Sequence, residues 1–410
     1  MFFEDVSRGP TDPVYILKNA VDADTSPNKV DLGVGVYRNE QAQYHELQAI
    51  AEAKAILSQQ QLGHDYEVTT GNADFVQNAA GLLFGTDADA IFSRRITSVQ
   101  AISGTGSIHL AALFLSRCTD FKDKKVYIGT PAWGNYEPLF NIVGLDVVKY
   151  RYYDGKRGVV DFSSVLNAVE EAPQGSIFVL QGCCHNPSGL DLSQPQWRDL
   201  AAAMKQRNHF PFFDMAYQGL GGSLGDDAYG LRYFERSGFD LLACQSFSKN
   251  FGLYGERCGV LHVVSGTEKV ASNVYDQLRC LIRWEFSSSP AYGARLVNII
   301  LSSKDLVKKW TDELEVMRER LSDLRQTFHR ALVLERQTPG NWGTVLSSTG
   351  LFCFLPLSAA QCSELATVHH IHMLQSGRIN VSGLNAFNID RIASSIDQVA
   401  RGQENVSARL

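Results

Sequence analysis

The sequence predicts an α/β fold in which a mostly parallel sheet lies between helices and is joined to a smaller α+β segment. Two observations predict this fold. Between about residues 96 and 265, short apolar runs that end in Gly, Pro, Asn or Asp alternate with longer stretches of helical period. From Ser303 to Leu334 the alternation gives way to one long helical repeat, which indicates a junction between two domains.

The strands of the predicted sheet are apolar along most of their length. The runs that indicate them are TSVQAISGTG, KVYIGTP, SIFVLQGCCHNP, HFPFFDMAYQG, LLACQSFSKN and CGVLHVVSG. Continuous apolar runs are typical of strands covered on both faces, as in parallel sheets flanked by helices. Because such strands end at one edge, the polar residues that follow them are expected to converge on a single crevice.

The long helix carries apolar residues spaced alternately by four and three positions. These residues are Trp310, Leu314, Met317, Leu321, Leu324 and Phe328. The repeat ends at TPGNW, which favours a core-facing seam between two domains over a free coiled coil. Residues 338–410 form the smaller α+β segment, and about the first 43 residues are expected to pack with it.

Composition excludes several classes of partner. The 410 residues are 44% hydrophobic, and 38 Lys and Arg stand against 44 Asp and Glu, for a net charge of -6. No block of like charge is long enough to bind a nucleic acid or an anionic membrane. Eight cysteines without CxxC spacing indicate reduced thiols. The start of the chain shows no signal or transit pattern, which favours the cytoplasm, although a trimmed organellar form stays open.

Three strand ends carry polar groups suited to binding. The SGTG turn, Ser103 to Gly106, precedes a helical stretch, so it can hold an anion on helix N–H groups or serve as a simple tight turn. HNPSG, from His185 to Gly189, follows another strand and by itself indicates only a turn. Asp214 follows the apolar run FPFF, where a carboxylate needs a cationic or N–H partner, either structural or functional.

Lys249 follows the apolar run LLACQSF and therefore lies at a strand end. A partly buried amine has a lowered pKa and can attack carbonyl groups. Ser246, Ser248 and Arg257 lie beside it and supply hydroxyls and a guanidinium suited to a phosphate. An aldehyde that bears a phosphate would satisfy both ends of this stretch.

These motifs, taken together, resemble the aspartate aminotransferases of the fold-type I pyridoxal-phosphate enzymes. The matching motifs occur in the order VDLGVGVYR, HDYEVTTG, SGTG, TPAWGN, HNPSG, FPFFDMAYQG, QSFSKNFGLYGER and SGRINVSGLN. The resemblance implies a large pyridoxal-phosphate-binding domain at residues 44–315 with a seven-stranded sheet. It also implies a small domain from residues 11–43 and 316–410 and an N-terminal arm at residues 1–10.

The resemblance assigns roles to residues around pyridoxal 5'-phosphate. Lys249 would form the covalent Schiff base with the cofactor and move a proton at the substrate's Cα. Asp214 would pair with the protonated pyridine nitrogen. Asn186 and Tyr217 would hydrogen-bond the ring's phenolic oxygen, and Trp133 would stack on the ring.

The resemblance also implies a phosphate cradle and two carboxylate-binding arginines. The cradle residues are Ser103, Gly104, Thr105, Ser246, Ser248 and Arg257, with Tyr66 from a second subunit. Arg378 would hold the substrate α-carboxylate, and Arg283 of the neighbouring subunit would hold the side-chain carboxylate. Gly35, Trp133 and Asn186 would also contact the substrate. A homodimer with shared sites is therefore implied.

The implied activity is reversible amino transfer between L-aspartate and 2-oxoglutarate, which gives oxaloacetate and L-glutamate by a ping-pong route. The alternatives are an aminotransferase that also accepts aromatic amino acids and a noncatalytic paralogue. No metal is implied, although His369, His370 and His372 form a cluster.

Three residues depart from the family pattern. Tyr136 and Gln181 occupy positions where the family often has histidine around the pyridine-binding aspartate, which puts the pH profile in doubt. If residues 283–285 are extended, Glu285 shares a face with Arg283 and competes with the substrate carboxylate; otherwise it faces solvent.

Overall fold

The computed structural model describes residues 2–407, and side chains as far as residue 402. Helices account for much of this range. They are α1 (Pro13–Ala23), α2 (Gln48–Gln59), α3 (Ala73–Phe84), α4 (Asp89–Phe92), α5 (Ser103–Arg117), α6 (Tyr136–Asn141), α7 (Phe162–Glu171), α8 (Gln194–Gln206), α9 (Leu224–Asp227), α10 (Tyr229–Arg236), α11 (Glu268–Glu285), α12 (Ala291–Leu301), α13 (Lys304–Arg330), α14 (Gly343–Ser347), α15 (Ala359–Thr367) and α16 (Ile389–Ser407).

The strands form one large sheet and three small ones. They are β1 (Val30–Asp31), β2 (Ile96–Ile102), β3 (Val126–Thr130), β4 (Val147–Arg151), β5 (Tyr153–Asp154), β6 (Val159–Val160), β7 (Ile177–Gln181), β8 (Phe210–Met215), β9 (Leu241–Ser246), β10 (Cys258–Val264), β11 (Phe352–Phe354), β12 (Ile371–His372) and β13 (Arg378–Asn380). The large sheet has seven strands in the order β2-β10-β9-β8-β7-β3-β4.

The large sheet is mostly parallel, as the sequence predicts. The pairs β3–β4, β3–β7, β7–β8 and β8–β9 are parallel, and only β10 runs against its two neighbours β9 and β2. Every residue of β9 and β10 is buried. This burial on both faces is the physical reason why these strands read as continuous apolar runs.

Two hydrophobic clusters cover the opposite faces of this sheet. Neighbouring residues of a strand alternate between them, because successive side chains of a strand point to opposite faces. Phe212 and Leu242 belong to one cluster, and Phe213 and Leu241 belong to the other. The sheet is thus packed between helices, and the crevice at its carboxyl edge is the place left open to a ligand.

The long helix α13 confirms the predicted seam. It runs from Lys304 to Arg330 and continues as one π-helical turn, and its buried residues include all six seam positions predicted from the spacing. Its Trp310 Nε1 donates a 2.7 Å hydrogen bond to the carbonyl of Asn250. The helix therefore supports the loop that carries Lys249.

The chain's first and last parts meet in one small sheet, and a second small sheet lies within the C-terminal part. Strand β1 pairs in parallel with β12, so residues 30–31 lie against residues 371–372, and β11 pairs with β13. This contact agrees with the expectation that the first 43 or so residues pack with the C-terminal segment, whereas the domain boundaries stay a prediction. Among the described residues, no helix combines the length and apolar character needed to span a membrane.

Candidate active site

The predicted strand ends lie at one edge of the large sheet. Strands β2, β7, β8 and β9 run in the same direction, so Ser103, Asn186, Tyr217 and Lys249 all follow strands that end there. The antiparallel strand β10 begins at this edge, because its first residue pairs with the last residue of β2. Arg257, which immediately precedes β10, is thereby placed beside Ser103.

A cavity opens at this edge. Most of the predicted cofactor residues line it, together with Ile108, Gln181 and Ala216. The full lining is Ser103, Gly104, Thr105, Ile108, Trp133, Gln181, Asn186, Asp214, Ala216, Tyr217, Ser246, Lys249 and Arg257. Ala216 lies inside the motif FPFFDMAYQG, and Ile108 lies within the first turns of the helix after SGTG, so a wider window around each motif would have included them.

The part of the cavity suited to an anion carries the hydroxyls of Ser103 and Ser246 and the Arg257 guanidinium, and the Ser248 hydroxyl bonds to this group. Ser103 Oγ lies 3.0 Å from Ser246 Oγ and 2.8 Å from Ser248 Oγ, and Arg257 Nη1 donates to Ser248 Oγ at 3.4 Å. Helix α5 begins at Ser103, so its first backbone N–H groups lack intrahelical acceptors. Hydroxyls, free N–H groups and a cation at one helix end match a phosphate.

Glycine at position 259 permits this arrangement. A Cβ there would lie 2.7 Å from the carbonyl oxygen of Gln245 and 2.7 Å from the carbonyl carbon of Ser103. Ser103 itself has a φ of 58°, a left-handed conformation that a non-glycine residue adopts only where the surroundings impose it. The strand β10 and the start of α5 therefore approach more closely than side chains would allow.

Lys249 lines the cavity beside Tyr217. Its Nζ is 5.1 Å from the centroid of the Tyr217 ring. Burial lowers the pKa of Lys249, while the charge of Asp214 raises it and that of Arg257 lowers it. A lowered pKa increases the fraction of free amine, which is the form that attacks carbonyl carbon.

Asp214 presents one satisfied and one unsatisfied oxygen. Its Oδ2 accepts a 2.5 Å hydrogen bond from the Tyr136 hydroxyl, whereas Oδ1 is buried and has no hydrogen-bond partner. Burial raises the pKa of Asp214, and the Tyr136 bond and the Lys249 charge lower it. A buried carboxylate oxygen without a donor is costly, so Oδ1 fits a cationic N–H group of a ligand.

Asn186 joins the cavity to the residues of the C-terminal segment. Its backbone is held by the Gln181 side chain, which donates to the Asn186 carbonyl at 2.9 Å and accepts from the Asn186 N–H at 2.8 Å. Its Oδ1 accepts from Arg378 Nη1 at 3.3 Å. Gln181 and Tyr136 both replace histidines expected around Asp214. Gln181 is the strand partner of Asp214, but its side chain hydrogen-bonds Asn186, whereas the Tyr136 hydroxyl bonds Asp214.

Arg378 is buried and held from two sides. Its Nη2 donates to the Gly33 carbonyl at 2.5 Å, and its guanidinium lies 4.4 Å from the Phe352 ring centroid. Its Nε has no hydrogen-bond partner, and burial lowers its pKa. A Cβ at Gly35 would lie 3.3 Å from the Phe352 Cζ atom, so the backbone of residues 33–35 passes close to this group.

The cavity lining lacks five predicted site residues, which are Gly35, Tyr66, Ser248, Arg283 and Arg378. Two of these five lie exposed on the surface of the chain. Tyr66 is 89% exposed, and Arg283 is exposed near the end of α11, where it bonds the Ser287 hydroxyl. These are the two residues that the resemblance places in a second subunit's site.

The extended conformation considered for residues 283–285 is wrong. These residues form the last turn of α11, and residues two apart on a helix point in different directions. Glu285 instead lies 3.3 Å from His109 Nε2 of α5. The competition between Glu285 and the substrate for Arg283, which depended on the extended conformation, therefore has no support within this chain. Glu285 is exposed, as the alternative expects.

Two histidines of the C-terminal cluster bind a carboxylate. His370 Nδ1 lies 2.9 Å and His372 Nε2 lies 2.7 Å from Asp24 Oδ2, at the end of α1. These contacts tie the N-terminal helix to β12.

The chain is similar to known proteins over nearly its whole length. Residues 27–396 match the family model described as aminotransferase class I and II. The aminotransferase tasG of Hapsidospora irregularis is 43% identical over 98% of this chain and 97% of its own length. The cytoplasmic aspartate aminotransferase of Dictyostelium discoideum is 40% identical over 96% and 89%.

Solved structures of aminotransferases have the same fold as this chain. The aromatic-amino-acid aminotransferase of Burkholderia pseudomallei, covalently bound to pyridoxal phosphate, superposes with a TM-score of 0.94 at 36% identity, over 98% of this chain and 100% of its own. The cytoplasmic aspartate aminotransferase of Saccharomyces cerevisiae gives 0.94 at 35% identity, over 98% of each chain.

Proposed function

Because this chain belongs to the class I and II aminotransferases and is a pyridoxal-phosphate-dependent transaminase, we propose that it transfers the amino group between L-aspartate and 2-oxoglutarate. The observation that carries this proposal is the partly buried Lys249, which lines one cavity together with an anion cradle and Asp214, whose Oδ1 has no partner. Relatives named aspartate aminotransferases over nearly the whole chain support the choice of substrate.

The cavity fits the cofactor at both of its charged ends. The hydroxyls of Ser103, Ser246 and Ser248 and the Arg257 guanidinium would hold the phosphate, with Gly104 and Thr105 donating backbone N–H groups. Asp214 Oδ1 would accept the hydrogen of a protonated ring nitrogen, which removes the cost of leaving it unpaired. Bound pyridoxal phosphate supplies an electron-withdrawing ring that stabilises negative charge at the substrate's Cα.

The remaining side chains orient the reacting groups. Lys249 Nζ would bond covalently to the cofactor as a Schiff base, and its free amine would then accept and return the proton at the substrate's Cα. Tyr217 and Asn186 would donate hydrogen bonds to the phenolic oxygen of the ring. Trp133 lines the same cavity and would cover one face of the ring.

Substrate binding would use two guanidinium groups. Arg378 is held by Gly33 and Asn186 beside the cavity, so it would bind the α-carboxylate, with Gly35 permitting close approach. Arg283 and Tyr66 point to solvent in one chain, which supports a homodimer in which each subunit completes the other's site. Arg283 would bind the side-chain carboxylate of a dicarboxylic substrate.

The visible absorption spectrum of the purified protein tests the cofactor assignment. The protein reconstituted with pyridoxal phosphate is expected to be yellow, and L-aspartate should remove the visible band. Lys249→Ala is expected to lower turnover by about 10³-fold or more while still binding the cofactor through its phosphate. The exposed Lys269→Ala serves as the control. A wild-type protein that never takes up the cofactor would contradict the proposal.

Mixing two inactive variants tests the shared site. A dimer of Lys249→Ala with Arg283→Ala contains one site with both residues intact, provided that Arg283 acts across the interface. Dissociating and reassembling the two variants together should therefore restore dicarboxylate activity that neither has alone. No restoration in demonstrated heterodimers would contradict the assignment of Arg283 to the partner's site.

A broader specificity is the second candidate, because three of the similar solved structures are aromatic-amino-acid aminotransferases. The ratio of kcat/KM for aspartate to that for phenylalanine on one preparation separates the candidates. For the compartment we propose the cytoplasm: the eight cysteines are unpaired, which suits a reducing compartment, and cell fractionation would distinguish it from an organelle.

A further inference from the structure

Tyr136 connects the cavity wall to the carboxylate that would hold the cofactor ring. It is the first residue of α6, it is 1% exposed, and its hydroxyl donates the 2.5 Å bond to Asp214 Oδ2. Its ring packs edge-on against Trp133, with 5.3 Å between centroids and 87° between planes. One side chain therefore contacts both groups expected to fix the position of the pyridine ring.

The Tyr136 hydroxyl is the one side-chain donor to the Asp214 carboxylate in the part of the chain that the structure describes. The other oxygen, Oδ1, has no partner. Loss of the tyrosine hydroxyl would therefore leave both oxygens of a buried carboxylate without a donor from this chain. A buried carboxylate in that condition takes up a proton, and a neutral carboxylic acid no longer forms an ion pair with a protonated ring nitrogen.

We propose that Tyr136 is the positioning residue that keeps Asp214 ionised and aimed at the ring nitrogen of pyridoxal phosphate. Because the Tyr136 hydroxyl stays neutral, the ion pair between Asp214 and the ring nitrogen is independent of pH near neutrality. The proposal rests on the proposed role of Asp214. It adds a positioning residue at a place where the family pattern predicts histidine instead. Histidine would change charge within the physiological range, whereas tyrosine does not.

The other titratable groups that face Asp214 are compatible with this behaviour. Burial, with the charge of Asp214, raises the pKa of Tyr136 well above its usual value, so the hydroxyl keeps its proton. Burial also raises the pKa of Tyr217, which follows β8, and that of Cys244 on β9. Lys249 is the remaining charged group, and its amine would be bonded to the cofactor.

Tyr136→Phe removes the hydroxyl and keeps the ring. We expect the dissociation constant for pyridoxal phosphate to rise about tenfold or more, the size of effect expected for one hydrogen bond to a charged group. With cofactor labelled with ¹⁵N in its ring, the nitrogen resonance of the holoenzyme should move to that of the unprotonated form. Tyr136→His should restore binding but make this resonance pH-dependent between about pH 5 and 8.

Two controls separate this role from a structural one. Tyr150 lines the neighbouring cavity together with Tyr136 but makes no hydrogen bond to Asp214. Tyr150→Phe should therefore leave the affinity for pyridoxal phosphate and the ring-nitrogen resonance unchanged. Asp214→Asn tests the assignment on which the proposal rests. If Asp214→Asn shifts the resonance and Tyr136→Phe does not, the role of Tyr136 is overturned alone; if neither shifts it, the role of Asp214 fails as well.

Discussion

Gly259 is the point where β10 passes the start of α5, and one added methyl group there is expected to open the anion cradle. A Cβ at this position would lie 2.7 Å from the Gln245 carbonyl oxygen and from the Ser103 carbonyl carbon, whereas ordinary contacts begin at 3.4 Å. Strand and helix must therefore separate by about 0.7 Å, because both contacts are to backbone atoms that cannot rotate away.

This separation has a cost in stability and a cost in binding. Overpacking of this kind typically lowers the free energy of unfolding by about 1–3 kcal/mol. The hydroxyl of Ser103 lies only 3.0 Å from that of Ser246, so a shift of this size stretches their hydrogen bond beyond its normal range. We therefore expect Gly259→Ala to be less stable and to bind pyridoxal phosphate more weakly.

Urea denaturation of the cofactor-free protein and titration with pyridoxal phosphate measure the two effects. Gly255→Ala is the matched control, because a Cβ at Gly255 meets no atom within 4 Å. If Gly259→Ala keeps both the stability and the cofactor affinity of the wild type, the expected separation of β10 from the start of α5 is refuted.

Three further predictions concern other parts of the molecule. Arg378→Lys should lower kcat/KM for aspartate about 10- to 100-fold without lowering cofactor affinity, because an ammonium cannot bind a carboxylate bidentately. Glu285→Gln should leave the KM for aspartate unchanged, since Glu285 faces His109 and not Arg283; a lowered KM at low salt would contradict this. Asp24→Asn should lower the midpoint of thermal unfolding at pH 7 more than the exposed Asp22→Asn does. Hydrogen bonds from His372 and the Ser26 backbone N–H hold the pKa of Asp24 below its usual 3.8, so the stability it contributes is present above about pH 4 and is lost as pH falls below that value. If the difference in unfolding midpoint between Asp24→Asn and the wild type is the same at pH 3 as at pH 7, this prediction is contradicted.

The strands that carry the site were predictable because they are buried on both faces. Strand β9 begins with the apolar run LLAC and is buried along its whole length, so the lysine that follows it stands out from its surroundings. Strand β4, at the edge of the sheet, reads VVKYR and is only partly buried, so its pattern is weaker and the residues alone did not indicate it.

Contacts between distant segments were not predictable from patterns. The bond from Tyr136 to Asp214 joins residues 78 positions apart and depends on how α6 packs against the end of β8. The conformation of residues 283–285 was ambiguous for a related reason: a stretch of three residues is compatible with a helix or a strand, and the packing of α11 decides between them.

The antiparallel strand β10 has a consequence for the order of folding. Ser103 and Ser246 lie 143 positions apart in the chain, and Arg257 reaches them only after β10 has inserted between β2 and β9. Contacts of such sequence separation form late, because the loop that joins them must first be closed. The phosphate site therefore does not exist in a partly assembled sheet, so cofactor uptake would report complete assembly and stabilise the final strand insertion by mass action.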